Sequence, residues 1–260
     1  MKKMSEYKKR PDYLKVFSNR ASGGLPEMES SKAVAKIIKN LFRKNKINNL
    51  LDIGCGCGHY LRSIKKEIKY KFSYTGLDSQ KDFINEAKNI WKKNLNAKFY
   101  AGSIYNLSKF KKMKYDLVMC NNVILHLDDA KKAINQLCKL KKKYLVIRTL
   151  LGPDTMIIKK VYNKSNWAYS NIPVHRQLGK NNVPIEYMNS NIFQSEYIKK
   201  IILSAKKPKK IEFLRDNQFK ASNITKSQRK EGLRDATYIL DGKQVFSNII
   251  LDYYFIIVEY

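Results

Sequence analysis

Residues 49–60 read Asn49-Leu50-Leu51-Asp52-Ile53-Gly54-Cys55-Gly56-Cys57-Gly58-His59-Tyr60. An apolar run ends around an acid and is followed by glycines at three alternate positions. The pattern predicts a buried strand, a tight turn and the start of a helix. Glycine is needed where the backbone takes unusual dihedrals or where a ligand presses against it. In an open α/β sheet such a turn lies at the carboxyl end of a strand, where ligands bind. The dinucleotide fingerprint G-x-G-x-x-G is excluded, because His59 occupies the position of its third glycine. The phosphate loop G-x-x-x-x-G-K-[ST] is absent too.

Outward from this stretch the chain alternates between strand and helix patterns. Glu29-Ser30-Ser31 predicts a helix start, with Val34, Ile37, Ile38, Leu41 and Phe42 on one face. Before it, Arg20–Pro26 reads as a loop. Tyr60, Leu61, Ile64 and Ile68 mark a helix, and Lys71–Asp78 a second strand. Phe83, Ile84, Ala87, Ile90 and Trp91 share the apolar face of the next helix. Ala97–Gly102 and Tyr115–Asn121 are strands three and four, and a helix starts near Asp128-Asp129. Lys143–Thr149 is strand five. Alternation of this kind implies an α/β fold with parallel strands.

From Leu150 to about Asn191 the pattern breaks, punctuated by Pro153, Pro173 and Pro184. A long irregular stretch in a compact domain is often a functional lid, so residues 150–192 read as a substrate cap. Its candidate contacts are Tyr169, His175 and Arg176. Ser195 then caps a helix. Lys210–Leu214 is a sixth strand, and the run Ile249–Val258 a last one. Residues 1–46 form an N-terminal lid and helix, 47–149 the ligand-binding core, and 193–260 a C-terminal helix with the last strands, all within a single domain.

Composition narrows the class. The chain has 260 residues, enough for one substantial core. No apolar run approaches the ~20 residues of a membrane span, and the charged N-terminus predicts no signal peptide; a cytoplasmic protein is expected. Cys55, Cys57, Cys120 and Cys138 suggest neither a disulfide framework nor a metal site. The net charge is +30, from 52 basic and 22 acidic residues. That balance suggests nucleic acid or an anionic surface as a partner. Against it, lysine far outnumbers arginine, the residue that specific phosphate and base forks favour, and the lysines spread along the whole chain.

Leu51-Asp52-Ile53-Gly54-Cys55-Gly56-Cys57-Gly58 resembles the first motif of class I S-adenosylmethionine-dependent methyltransferases. The resemblance implies a seven-stranded Rossmann-like sheet with helices on both faces and S-adenosylmethionine as cofactor. It implies that Gly54, Cys55, Gly56 and Gly58 let the backbone approach the methionine half, and that Asp52 holds the amino group. The segment before the first strand would cover the pocket, with Arg20 near the methionine carboxylate. Asp78, 24 residues beyond Gly54, is placed with Ser79 to take both ribose hydroxyls, or else caps the helix beginning near Gln80. Ser103, beside Ile104, stands where the family usually has an acid for the adenine amino group. Asn121-Asn122-Val123-Ile124-Leu125-His126-Leu127 is similar to the fourth-strand motif, in which the strand end at Asn121 contacts the methionine portion and opens on the reacting methyl.

Methyl transfer from a sulfonium needs alignment and exclusion of water, and a hydroxyl acceptor benefits from a base. His126 is the first candidate base and His175 the second; His59 belongs to the cofactor wall. A local helix-start role for His126 is the alternative. The fourth strand lacks the [DNS]-P-P-[YFW] signature of enzymes that methylate exocyclic amino groups of bases, and no cysteine follows a proline. The expected activity is methyl transfer to a small molecule or saccharide, at oxygen. The saccharide rests on Asp241–Leu251, which is similar to bacterial methyltransferases associated with surface polysaccharides. RNA methylation, at ribose or a ring nitrogen, is the second expectation, and a non-catalytic subunit of a methyltransferase complex the third.

Overall fold

A computed structural model describes residues 11–43, 46–161, 187–216, 238–240, 243–246 and 249–260. The glycine turn folds as its spacing predicts. Strand β1 (Asn49–Ile53) ends in it and helix α3 (His59–Glu67) leaves it. Gly54, Gly56 and Gly58 have φ of 81°, 53° and 80°, a region where side chains are strained. A Cβ on Gly54 would stand 2.2 Å from Val123 Cγ2, and one on Gly58 2.6 Å from Trp91 Nε1. These glycines therefore serve the packing of the protein itself as well as its ligand.

Two helices precede β1: α1 (Pro11–Ser22) and α2 (Glu29–Leu41). Arg20 thus lies in the last turn of a helix, not in a loop. After α3 come β2 (Ser73–Asp78), α4 (Lys81–Ile90), β3 (Ala97–Ala101), β4 (Lys114–Asn121), α5 (Ala130–Cys138) and β5 (Lys141–Leu150). Asp129 caps α5, its carboxylate accepting from Lys132 N at 2.7 Å. Between β4 and α5 a single 3-10 turn, Ile124–His126, intervenes. The chain continues through β6 (Lys159–Val161), β7 (Tyr187–Asn189), α6 (Ser195–Ala205), β8 (Lys210–Arg215), β9 (Tyr238–Leu240), β10 (Lys243–Phe246), β11 (Ile249–Ile250) and β12 (Tyr253–Glu259). Ser195 is the first residue of α6; Gln194 occupies the cap position, and no side chain caps there.

Seven strands form one sheet in the order β3-β2-β1-β4-β5-β12-β8. β12 runs antiparallel between β5 and β8, and the pairings among β1 to β5 are parallel. Parallel strands covered on both faces read as continuous apolar runs, as β1, β4 and β5 do. Alternation splits them between two cores. Leu51, Ile53, Val118, Cys120, Leu145 and Ile147 pack with α5 and α6. Leu50, Leu117, Met119 and Val146 pack with α2, α3 and α4. Helices thus cover both faces.

The terminal apolar run is not one strand. Ile249–Ile250 pairs with β10 in a separate three-stranded sheet, and β12 starts only at Tyr253. The break falls at Leu251-Asp252, where Asp252 accepts from Leu151 N through its carbonyl and from Arg215 Nε through its carboxylate. Hydropathy alone does not register such a break, because both sides of it are apolar.

Gly54→Ala combines positive-φ strain with the Val123 collision. We expect a loss of about 2–4 kcal/mol, seen calorimetrically as a Tm fall of roughly 5–15 °C. Adding Val123→Ala recovers the contact part of that loss and leaves the backbone part. Purely additive losses in the double variant would refute the collision.

Candidate active site

A cavity of about 440 Å³ opens at the carboxyl ends of the parallel strands, within the ~300–1,000 Å³ of small-molecule sites. The turn forms its floor. Gly54 N and Cys55 N donate to Leu77 O at 2.7 and 3.1 Å. Gly56 N donates to the Asp78 carboxylate at 2.9 Å, and Gln80 N to its other oxygen at 2.8 Å. Asp78 therefore clamps the turn to β2. It also orders the entry to α4, but from two residues before Gln80, the actual cap position. Burial raises its carboxyl above the ordinary value, against these backbone donors.

Gly54, Gly56, His59, Asp78, Ser79, Ser103, Ile104, Asn121 and His126 all line the cavity. Asp52, Cys55, Gly58 and Arg20 do not. Strand alternation sends the Asp52 side chain beneath the turn, where the Tyr74 hydroxyl donates to it at 2.6 Å. Burial, reinforced by the charge of Asp78 and opposed by Tyr74, pushes its carboxyl up to about 7. Cys55 turns its thiol inward, and Gly58 starts α3. The Arg20 carbonyl accepts from Arg62 Nη1 at 2.7 Å. Burial, helped by the Arg20 charge, drives the His59 imidazole down to about 3. His175, Tyr169 and Arg176 lie outside the described residues.

Among the described residues, three polar groups on the wall have buried side-chain atoms without a hydrogen-bond partner: both amide atoms of Asn121, His59 Nδ1 and Asn189 Oδ1. Buried polar atoms are normally satisfied, so a polar ligand fits here. Ser103 is exposed on the rim, its oxygen already accepting from Tyr105 N at 3.2 Å. His126 Nδ1 stands 2.8 Å from Asn189 O. A carbonyl only accepts, so Nδ1 carries hydrogen and Nε2 is the basic nitrogen of the neutral ring.

Several wall residues carry no motif. Tyr13 and Phe17 of α1 line the cavity, and Phe17 stacks on His59 at 4.8 Å between ring centroids. The cover thus comes from α1, while α2 packs into the core beside it. Asn122, Asn189 and Tyr253 line the far end. Residues 187–193 are tied down over the β4 loop. Asn191 N donates to Leu125 O, Asn191 Nδ2 to Leu127 O, and Asn189 Nδ2 to Asp128, all within 2.8 Å. The described carboxyl end of the expected cap is therefore tied down beside the cavity, which Asn189 lines.

This sheet order with a glycine turn and acid-tipped β2 defines the class I S-adenosylmethionine-dependent methyltransferase fold, whose methyl donor is S-adenosylmethionine. Residues 44–200 match the methyltransferase domain family, and the chain belongs to it. An uncharacterised protein of Methanocaldococcus jannaschii is 27% identical over 222 residues, 84% of this chain and 88% of that one. The PH0226 protein of Pyrococcus horikoshii OT3 shares the fold at a TM-score of 0.54 and 13% identity, over 96% of this chain and 99% of that one. So does the N-methyltransferase NodS of Bradyrhizobium japonicum WM9, solved with S-adenosylhomocysteine, at 0.51 and 13%, over 90% and 88%. No helix among the described residues is long and apolar enough to cross a membrane.

The folded chain keeps Asp52 protonated up to about pH 7, while the ordinary carboxyl ionises near 3.8. The unfolded state therefore binds fewer protons in that window. The stability tied to this residue is complete below about pH 4 and is lost as pH rises toward 7. At about 1.4 kcal/mol per pK unit the limit is on the order of 4 kcal/mol. Asp52→Asn removes the titration, so its Tm gains on wild type from about pH 4 to about pH 7. A Tm difference that is flat with pH would refute the buried protonated acid.

Proposed function

We propose that this protein transfers a methyl group from S-adenosylmethionine to an oxygen of a neutral small molecule or saccharide. One observation carries the choice of acceptor. The cavity end beyond Asn121 is lined by Asn122, His126, Asn189 and Tyr253, and among the described residues no lysine or arginine lines the cavity. Neutral amides, an imidazole and a phenol suit hydroxyl groups, and they bring no cation to a phosphate backbone, which favours this reading over RNA. The cofactor supplies a methyl already activated on a sulfonium. Asp78 accepts from the ribose hydroxyls with the lone pairs its backbone donors leave. Asn121 gives its buried amide to the methionine portion. Tyr13 and Phe17 on α1 exclude water above it.

His126 is the proposed base. The Asn189 carbonyl orients the ring through Nδ1, which makes Nε2 the nitrogen proposed to take the proton as the acceptor oxygen attacks. Residues 150–192 are the proposed acceptor cap, a reading supported by the ties of Asn189 and Asn191 to the β4 loop, with Tyr169, His175 and Arg176 as its proposed contacts. Cys55, Cys57, Cys120 and Cys138 are free and buried, which supports a reducing, cytoplasmic location.

Two measurements test this reading. In calorimetry S-adenosylhomocysteine binds the wild type, and Asp78→Ala weakens binding about tenfold or more, roughly 1.4 kcal/mol. With methyl-labelled S-adenosylmethionine and an extract of the source cell, label enters the small-molecule or glycan fraction. His126→Gln cuts that transfer about 100-fold, the scale of a general base, while S-adenosylhomocysteine still binds. Label in RNA overturns the acceptor, and cofactor binding without any transfer overturns the enzyme.

A further inference from the structure

Arg148 interrupts the apolar strand Leu145-Val146-Ile147-Arg148-Thr149-Leu150 on β5, and it is buried, 6% exposed. A charge in that position needs partners. Its Nε and Nη2 reach Asp216 Oδ2 at 2.8 and 2.7 Å, just past the end of β8. Its Nη1 donates to Asn122 Oδ1 at 2.5 Å. Its guanidinium carbon lies 3.7 Å from the centre of the Tyr253 ring. One planar cation thus touches an acid, an amide and an aromatic face, and two of the three line the cavity.

The contact with Asn122 does more than satisfy a charge. Asn122 is the one non-glycine residue with positive φ among the described residues, at 57°. Asparagine tolerates that conformation better than most side chains but does not require it. Arg148 fixes it from both sides of the residue, because Asn122 N also donates to Arg148 O at 2.9 Å. The guanidinium only donates, so the amide oxygen must face it and the amide nitrogen must face away. That nitrogen donates to the Tyr60 hydroxyl at 3.2 Å, which in turn donates to Ser30 Oγ at 3.3 Å. The guanidinium at its head therefore sets the direction of this chain of donors.

Resting on the reading that the β4 end of the cavity takes the acceptor, we propose that Arg148 is a positioning residue for that end. It acts through Asn122, while Asp216 and the face of Tyr253 hold its guanidinium in plane. Lysine in its place keeps the charge but loses the fork that serves Asp216 and Asn122 together. The donor end does not depend on its side chain, because Asp78 and Gly56 hold each other through the turn and Asn121 pairs with Arg148 through the backbone ladder alone.

The test is a cycle of Arg148→Lys, Asn122→Gly and both together, each variant checked for folding by circular dichroism. Glycine keeps the positive φ of position 122 and removes only its amide. The readouts are label transfer from S-adenosylmethionine into the acceptor fraction of the source-cell extract, and the Kd of S-adenosylhomocysteine. We expect Arg148→Lys to slow transfer about tenfold or more, with the Kd changed by less than about threefold. In the Asn122→Gly background, Arg148→Lys adds less than about twofold. Transfer within about twofold of wild type in a folded Arg148→Lys overturns the proposal. So do losses that multiply in the double variant, and so does a Kd that weakens in step with transfer, which would put Arg148 on the donor side. Wild type that binds S-adenosylhomocysteine but transfers no label removes the acceptor reading itself and takes this proposal with it. The two failures are thereby distinct.

Discussion

Everything at the active end depends on one constraint: the chain must reverse between β1 and α3 while staying bonded to β2. Gly54, Gly56 and Gly58 supply the three positive φ angles, and Leu77 O and Asp78 accept the freed amides. A turn with this many inward donors would otherwise leave buried polar groups unpaired. The same acid that clamps the turn stands at the ligand wall, so the rigidity of the floor and the chemistry of the site share one carboxylate. Asp52 supports the turn from below, protonated and bonded to Tyr74.

A second organising contact sits across the cavity. The buried pair of Arg148 and Asp216, with side chains 7% and 3% exposed, gains little net stability over an apolar filling, because both ions lose their water. Its worth lies in geometry. It joins β5 to the end of β8, fixes Asn122, and backs Tyr253. Asp216 N also donates to Tyr253 O at 2.8 Å, so the acid anchors main chain as well as the cation. The β4 loop is then clamped from outside by Asn189 and Asn191. The two ends of the pocket are built differently: backbone and glycine at the turn after β1, side-chain amides and rings at the β4 loop.

The sheet was largely legible from residues. Short apolar runs placed β1 to β5, and the turn and Asp78 followed from spacing. What misled was pattern without partners. Ile249–Val258 reads as one strand, yet Asp252 is drawn off by Leu151 and Arg215. α1 reads as polar, because its cavity face is only Tyr13 and Phe17 among charges and amides. Arg148 did carry a signal, a lone cation inside an apolar strand, which announces a buried partner without saying which. Asn189 and Asn191 carried none, since short polar residues look alike in a loop and in a clamp.

The sequence by itself determined the strand and helix order from α2 to β5, the glycine turn and the family resemblance, because these rest on local periodicity and on dihedrals only glycine takes freely. The tertiary structure decided which residues share the cavity. It put Asp52 beneath the floor, His126 against Asn189, and Arg148 between Asp216 and Asn122. Those contacts join residues 22, 63, 68 and 26 positions apart. Hydropathy and local spacing do not encode such pairs; they arise when strand order brings separate chain ends to one edge of the sheet.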